Sequence, residues 1–427
     1  MKNITFDKNT VRIHGRPRLS GEVYCPSSKS AAHRELIAAA LSDGPSVLFC
    51  RGISKDIRAT ADCLSALGAD IRIENGLIHV SPIREPVCKA TLNCNESGTT
   101  LRFMIPLAAF LGVDTTFVCA PGLARRPISV LCDELTRHGV TFPDGYSFPL
   151  RMNGKALGGE WRIRGDISSQ FISGILLALP LSDIPSTLEV VGRCESLPYI
   201  NITVGVMLSR GISVSVSGSV YSVNTGKYSS VGSEALPHLI ESDWSSAAFW
   251  LAAGLSSDEG ITVHGLKCDS CQGDKAILPL LIFAGARIES SDEKIKIRKS
   301  SIHSFDCDCS QTPDMVPVLS VCAAIADGES KIRGIERLRL KESDRIESTM
   351  AMLTSLGISS SYSDGIMTVR GGKIRKGSVN GYNDHRIVMS AAVASCFTDE
   401  EIEISDAFAV EKSYPSFFDH FISLTKD

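Results

Sequence analysis

Five times along the chain a helical stretch ends in glycine and runs directly into short alternating strands. The glycines are Gly68, Gly139, Gly211, Gly285 and Gly357, roughly 72 residues apart. Each suits the place just past a helix C-terminus, where the backbone must turn left-handed and a Cβ would be in the way. Behind each comes an apolar/polar alternation that predicts a strand, usually with a turn and a second strand such as residues 77–80. A unit of that length is a small αβ module and not a thin solenoid turn, and 427 residues hold about six of them.

A second series lies between the first. In each copy a polar loop leads into a small, almost wholly apolar helix. The pairs are 28–34 before 36–41, 96–102 before 106–110, 168–170 before 175–179, 243–246 before 249–253, 313–314 before 318–324, and 383–386 before 388–394. Helices this apolar all round belong in a core. The sixth Gly-type helix, beginning near Tyr414-Pro415, runs into the C-terminus without its strands, while residues 4–6 and 11–14 are two strands without a helix. Both chain ends are therefore expected to complete one unit. Six units divide as three and three, giving an α/β protein of two similar domains: an inserted one, 21–240, and one made of 1–20 with 241–427. The chain passages are expected near Leu19-Ser20-Gly21 and near Pro237.

The unusual polar clusters all fall at predicted helix N-termini. Helices of the first series start at Lys55-Asp56-Ile57-Arg58, Arg125-Arg126-Pro127, Ser196-Leu197-Pro198-Tyr199, Gln272-Gly273-Asp274, Lys341-Glu342-Ser343-Asp344-Arg345 and Lys412-Ser413-Tyr414-Pro415. Pro127, Pro198 and Pro415 suit the first helical position, where no donor is lost. Parallel helices would gather these ends, with Lys29, Arg34, Arg102, Arg126, Lys341, Arg345, Arg386 and Lys412, into a positive face on each domain. Two such faces opposed would form a cleft for a polyanionic small molecule. Glu342 among the cations supplies a group for acid/base work.

Composition narrows the partners. The net charge of −4 advertises neither nucleic acid nor an anionic membrane, so an anionic ligand must be met by local clusters. Fourteen cysteines without a secretory segment point to reduced thiols in a cytoplasmic protein. No run reaches the length of a membrane span. Cys268 with Cys271 and Cys307 with Cys309 have zinc-like spacing, but they fall in different units, so no metal is expected. Pro26-Ser27-Ser28-Lys29-Ser30 lacks both glycines of a phosphate-binding loop, and no nucleotide cofactor is expected.

In order, Ser28-Lys29-Ser30 with Arg34, Gly98-Thr99 with Arg102, Arg126-Pro127-Ile128, Ser168-Ser169-Gln170, Pro198-Tyr199, Pro313-Asp314, Lys341-Glu342-Ser343-Asp344-Arg345 and Tyr382-Asn383-Asp384-His385-Arg386 resemble the motifs of the 5-enolpyruvylshikimate-3-phosphate synthase family along almost the whole chain. Ser27, Leu197 and Glu96 stand where that family often has Gly, Lys and Asn. The resemblance implies two domains, each of three βαβαββ units with buried parallel helices, an inside-out α/β barrel. It implies transfer of the enolpyruvyl group of phosphoenolpyruvate to the 5-hydroxyl of shikimate 3-phosphate, by a monomer needing no cofactor. By similarity Lys29, Gly98, Arg126, Gln170, Arg345, Arg386 and Lys412 would hold phosphoenolpyruvate. Lys29, Ser30, Arg34, Ser168, Ser169, Gln170, Ser196, Tyr199, Asp314 and Lys341 would hold shikimate 3-phosphate. Asp314 would be the base and Glu342 the acid, with Lys29 a further proton-transfer group. The rival is the enolpyruvyl transferase acting on UDP-N-acetylglucosamine, which uses a reactive Cys in a mobile loop; the corresponding stretch here, Gly122-Leu123-Ala124-Arg125-Arg126-Pro127, has none. A non-catalytic anion-binding scaffold is the remaining alternative.

Overall fold

All five helix-ending glycines take positive φ, at 117°, 93°, 82°, 102° and 76° in chain order. In each case the next residue's N–H reaches back five residues to a helix carbonyl: Ala69 to Leu64, Val140 to Leu135, Ile212 to Met207, Ala286 to Leu281 and Ile358 to Leu353. This is the Schellman closure, which satisfies a carbonyl the ending helix would leave bare and turns the chain outward into a strand.

These features come from a computed structural model that describes residues 4–291 and 293–426. The chain divides into Ser27–Ile240, the inserted unit, and Met1–Pro26 with Glu241–Asp427, the terminal unit. The passage lies at Pro26/Ser27, not at Leu19–Gly21, because Gly21–Tyr24 pairs in parallel with Ile261–Leu266 of the terminal unit. In the inserted unit His238–Leu239 pairs in parallel with Ser46–Phe49.

Apart from the two-stranded antiparallel pair Arg18–Leu19 with Thr425–Lys426, the described sheets share one plan: a parallel pair extended by antiparallel strands. In the inserted unit Glu160–Arg164, Ser186–Val191, Val220–Val223 and Val214–Ser217 lie in that order. Ser46–Phe49 is followed likewise by Leu77–Ser81 and Asp70–Glu74. The middle sheet is one strand short. Lys89–Asn93, Asp114–Val118 and Leu150–Met152 form it, and the strand expected after Gly139 shrinks to a single bridge between Thr141 and Asn153. Pro143 follows at once and offers no N–H to continue a ladder.

In the terminal unit Ile261–Leu266 continues into Glu293–Arg298 and Arg287–Ser291, and Asp306–Asp308 begins the order that runs through Glu329–Arg333, Ile366–Arg370 and Ser360–Ser363. The third sheet is completed from the other end of the chain: Gly377–Val379 and Ile402–Ile404 are joined by Thr10–Ile13 and Ile4–Asp7. The strands make separate sheets and close no barrel among the described residues; what is interior is helical.

The apolar helices are the core. Lys29–Ala40, Gly98–Leu111 and Ser169–Ala178 are buried along nearly their whole length in the inserted unit, as are Trp244–Gly254, Val316–Ile325 and His385–Ala394 in the terminal one. Close approach is built in at Gly174, where a Cβ would stand 2.5 Å from the Arg102 carbonyl. In the terminal unit Trp250 lies over Phe417 at 5.2 Å and donates its Nε1–H to the Tyr414 hydroxyl at 2.9 Å.

Some helix starts differ from expectation. The helix after Arg126 begins at Ser129 and the last one at Phe417, so Pro127 and Pro415 sit ahead of their helices; Pro198 is the second residue of Leu197–Ser209. Lys341 and Glu342 stand directly ahead of Arg345–Ser355, whose cap is Asp344, at the polar helix start that the sequence implies.

Gly285 tests the Schellman turn directly. Its φ of 102° is left-handed and a Cβ would meet nothing closer than 3.6 Å, so the backbone conformation alone opposes a side chain. Gly285→Ala is expected to lower stability by about 1–2 kcal/mol, read as a lower urea midpoint with an unchanged slope; an unchanged midpoint would refute it.

Candidate active site

Five of the six buried helices begin at a side-chain cap. Ser28 accepts from the Ala31 N–H, Ser97 from Thr100, Ser168 from Gln170, Asp243 from Ser246 and Asp384 from Arg386. Val316–Ile325 is instead led in by the tight turn Pro313–Met315. A cap fixes where the chain enters the helix, so first-turn side chains and free N–H groups come to one edge. Lys29, Ser30, Gly98, Ser169, Gln170, Asp314 and Arg386 all stand at such positions.

In the inserted unit, the Lys29 ammonium donates to Asp56 at 2.9 Å, both groups mostly shielded from water. Gln170 is fixed at both ends of its amide: Oε1 accepts from Arg102 Nη1 at 2.6 Å and Nε2 donates to Thr99 Oγ1 at 2.8 Å. Gly98 faces two guanidinium groups. A Cβ there would lie 3.0 Å from Arg102 Nη1 and 3.2 Å from Arg126 Nη1, so only glycine leaves that approach open. Ser196 opens its helix from a left-handed conformation, φ 56°, and is buried.

Arg34 lies further along the helix Lys29–Ala40. It is buried, with Nε donating to Thr203 Oγ1 at 2.6 Å, Nη1 to the Ser30 carbonyl at 2.6 Å, and Nη2 to Ser173 Oγ at 3.1 Å and the Tyr199 carbonyl at 2.9 Å. Burial lowers its pKa to about 9, which leaves it charged at neutral pH. Its donors anchor the backbone of two other site residues.

The terminal unit gathers its charges around Arg345, whose side chain is 1% exposed. Nε donates to Asp384 Oδ2 at 2.7 Å, Nη1 to Asp314 Oδ1 at 2.8 Å, and Nη2 to Glu342 Oε2 at 2.6 Å. Asp314 also accepts from Lys341 Nζ at 3.1 Å and from Arg386 Nη2 at 3.0 Å. Burial alone would lower the Arg345 pKa; Asp384, Glu342 and Asp314 overcome it and hold the group well above its ordinary value. Burial would raise the Asp384 carboxyl, and Arg345 outweighs that to hold it low. Burial is also the main reason Lys341 is depressed, with Asp314 opposing. Lys412 donates to the Asn383 carbonyl at 2.6 Å.

Motif reading missed Asp56 and Asp384. Each sits inside a polar helix-start cluster, but the partners of Asp56 and Asp384 lie 27 and 39 residues away, with nothing local to mark them. None of the fourteen cysteines forms a disulfide, and among the described residues no group of three or more His, Cys, Asp or Glu could hold a metal.

The family model for EPSP synthase (3-phosphoshikimate 1-carboxyvinyltransferase) matches residues 13–421. The 3-phosphoshikimate 1-carboxyvinyltransferase of Clostridium kluyveri is 38% identical over 410 residues, covering 95% of both chains. That of Methanocorpusculum labreanum is 36% identical over 417 residues, covering 95% of this chain and 96% of its own. An EPSP synthase structure from Acinetobacter baumannii superimposes with a TM-score of 0.81 at 22% identity, covering 97% of this chain and 98% of its own. The enolpyruvyl transferase NikO from Streptomyces tendae gives 0.74 at 18% identity, with 97% and 96% covered. At these identities the two structures speak for the fold.

Asp384→Asn removes one charge from a wholly buried pair while keeping its shape. The expected loss is about 3 kcal/mol at pH 7. Because the folded state holds Asp384 low, its contribution is complete above the unfolded carboxylate pKa of about 3.9 and fades as pH falls through the folded value. Urea midpoints of wild type and variant should therefore differ most near neutrality and converge in acid; a gap that widens in acid would contradict this.

Proposed function

The chain belongs to the EPSP synthase (3-phosphoshikimate 1-carboxyvinyltransferase) family, and we propose that the residues described above carry out the transfer of the enolpyruvyl group of phosphoenolpyruvate to the 5-hydroxyl of shikimate 3-phosphate. The observation that carries the assignment of roles is Asp314, a carboxylate gathered by Lys341, Arg345 and Arg386, with Glu342 on the same guanidinium.

The chemistry is an addition followed by an elimination. Asp314 takes the 5-hydroxyl proton as the oxygen attacks C2 of phosphoenolpyruvate, and Glu342 protonates the methylene carbon. The tetrahedral adduct then loses phosphate and a methyl proton, which regenerates the double bond as an enol ether. Lys29, oriented by Asp56, serves as a further proton-transfer group. Planar guanidinium groups match the carboxylate and phosphate of phosphoenolpyruvate, so Arg126, Arg345 and Arg386 are read as its clamps, with Lys29, Gly98, Gln170 and Lys412. Their charge stabilises the adduct and the departing phosphate.

Shikimate 3-phosphate is assigned to Lys29, Ser30, Arg34, Ser168, Ser169, Gln170, Ser196, Tyr199, Asp314 and Lys341. Arg34 also donates to the Ser30 and Tyr199 carbonyls. The transferase for UDP-N-acetylglucosamine fits less well. No thiol stands between Gly122 and Pro127, Cys132 is buried inside a helix, and burial pushes Cys119 up to about 11.

Phosphate release from phosphoenolpyruvate is expected to depend on shikimate 3-phosphate; turnover with UDP-N-acetylglucosamine instead, or none with either, would overturn the reading. Glu342→Gln should lose a hundredfold or more in turnover, about what a general acid contributes, while calorimetry shows shikimate 3-phosphate still bound. Near wild-type turnover would remove Glu342 from the role.

The protein is further read as a cytoplasmic monomer without a metal. Among the described residues no helix is long and apolar enough to cross a membrane. The unfolded protein should titrate close to fourteen thiols, and chelators should leave activity intact. Stoichiometric zinc whose removal unfolds the chain would refute the metal-free reading.

A further inference from the structure

Asp274 is a buried carboxylate that none of the roles above uses. It lies in the turn Gly273–Ala276 and is 2% exposed. Its Oδ2 accepts from the Ser245 hydroxyl, while Oδ1 is buried with no hydrogen-bond partner among the described residues. Ser245 is the second residue of the buried helix Trp244–Gly254. Gln272 ties the turn to that helix, donating from Nε2 to the Ser242 carbonyl at 2.8 Å and accepting the Trp244 N–H at 3.0 Å. The charged and titratable groups within electrostatic reach of Asp274 are Asp314 from the Pro313–Met315 turn, Arg386 from His385–Ala394, the cap Asp243, and Cys309.

A buried carboxylate kept only for structure normally satisfies both oxygens. This one leaves an oxygen bare, and its turn and the Pro313–Met315 turn that carries Asp314 both pack against the helix Trp244–Gly254. Asp314 has the opposite difficulty, since three cations donate to it, and each makes a carboxylate less willing to take a proton. We propose that Asp274 is a positioning residue for Asp314, its buried charge opposing those three cations so that Asp314 stays basic enough to accept the substrate's hydroxyl proton. This rests on Asp314 being the base as read above. Burial, with Asp314 next, raises Asp274 to about 6, while Arg386 and Ser245 oppose the rise. Above that pH Asp274 is charged and its influence is present; below it the carboxyl is neutral and the influence is gone.

The pH profile of kcat tests this. Wild-type kcat should fall through an inflection near pH 6 as Asp274 gains its proton. Asp274→Asn, which still accepts from Ser245, should show no inflection there and run about three- to tenfold below wild type at pH 8, with KM for both substrates unchanged. Ser245→Ala removes a donor that favours the charged form. Its inflection should move to higher pH while the plateau above is kept, which decides the matter if the Asp274 variant does not fold. A wild-type inflection retained in Asp274→Asn, or an inflection unmoved in Ser245→Ala, overturns the proposal. Asp314→Asn separates the two readings: turnover that survives it removes Asp314 as base, whereas its loss with an unchanged Asp274→Asn profile removes Asp274 alone.

Discussion

The terminal unit's chemistry depends on one buried guanidinium. Arg345 donates to Asp314, Glu342 and Asp384, and two of those carboxylates are fixed points for something else. Asp384 caps the helix that carries Arg386, and Asp314 gathers Lys341 and Arg386. An ammonium, a point charge on a flexible stem, lacks the planar fork of donors that meets these carboxylates. The cost of burying so much charge is offset only because every partner is itself hydrogen-bonded. Position and electrostatics are thus set together, which is what a reaction that builds and discharges anions requires.

The helix ends make this possible. At the C-terminal end of the outer helices a glycine turns the chain into a strand; at the N-terminal end of the inner ones a serine or aspartate cap fixes the entry. Functional residues cluster at the capped end because free N–H groups and an aimed backbone are there before any side chain is chosen. The same local rules, used five times each, recur along the chain, which decorates each polar edge differently.

Much of the fold was legible because its signals are local. The glycine spacing, the alternation after it and the uniformly apolar helices need only a few neighbouring residues to be recognised. What failed had competing local chemistry, as where Pro143 suppresses a strand. The site residues named from motifs do stand at helix starts, but their pairings were not legible. Nothing in the sequence says that Lys29 will meet Asp56, that Asp384 will meet Arg345, or that Arg34 will turn inward to Thr203 and the Tyr199 carbonyl. Those partners lie tens of residues to more than a hundred apart, and only tertiary packing selects them.

The sheet shared between the two chain ends has a consequence for how the molecule comes into being. Arg12 pairs with Glu403 across 391 residues, and Gly21–Tyr24 waits for Ile261–Leu266. The inserted unit, by contrast, takes all its strands from one uninterrupted segment, Ser27–Ile240. During synthesis that segment leaves the ribosome whole and can settle while the first strands of the terminal unit are still without partners. Loop closure over hundreds of residues is slow compared with closure within a single repeat. The chain therefore carries its own order of assembly, with the middle acquiring structure first and the two ends meeting last.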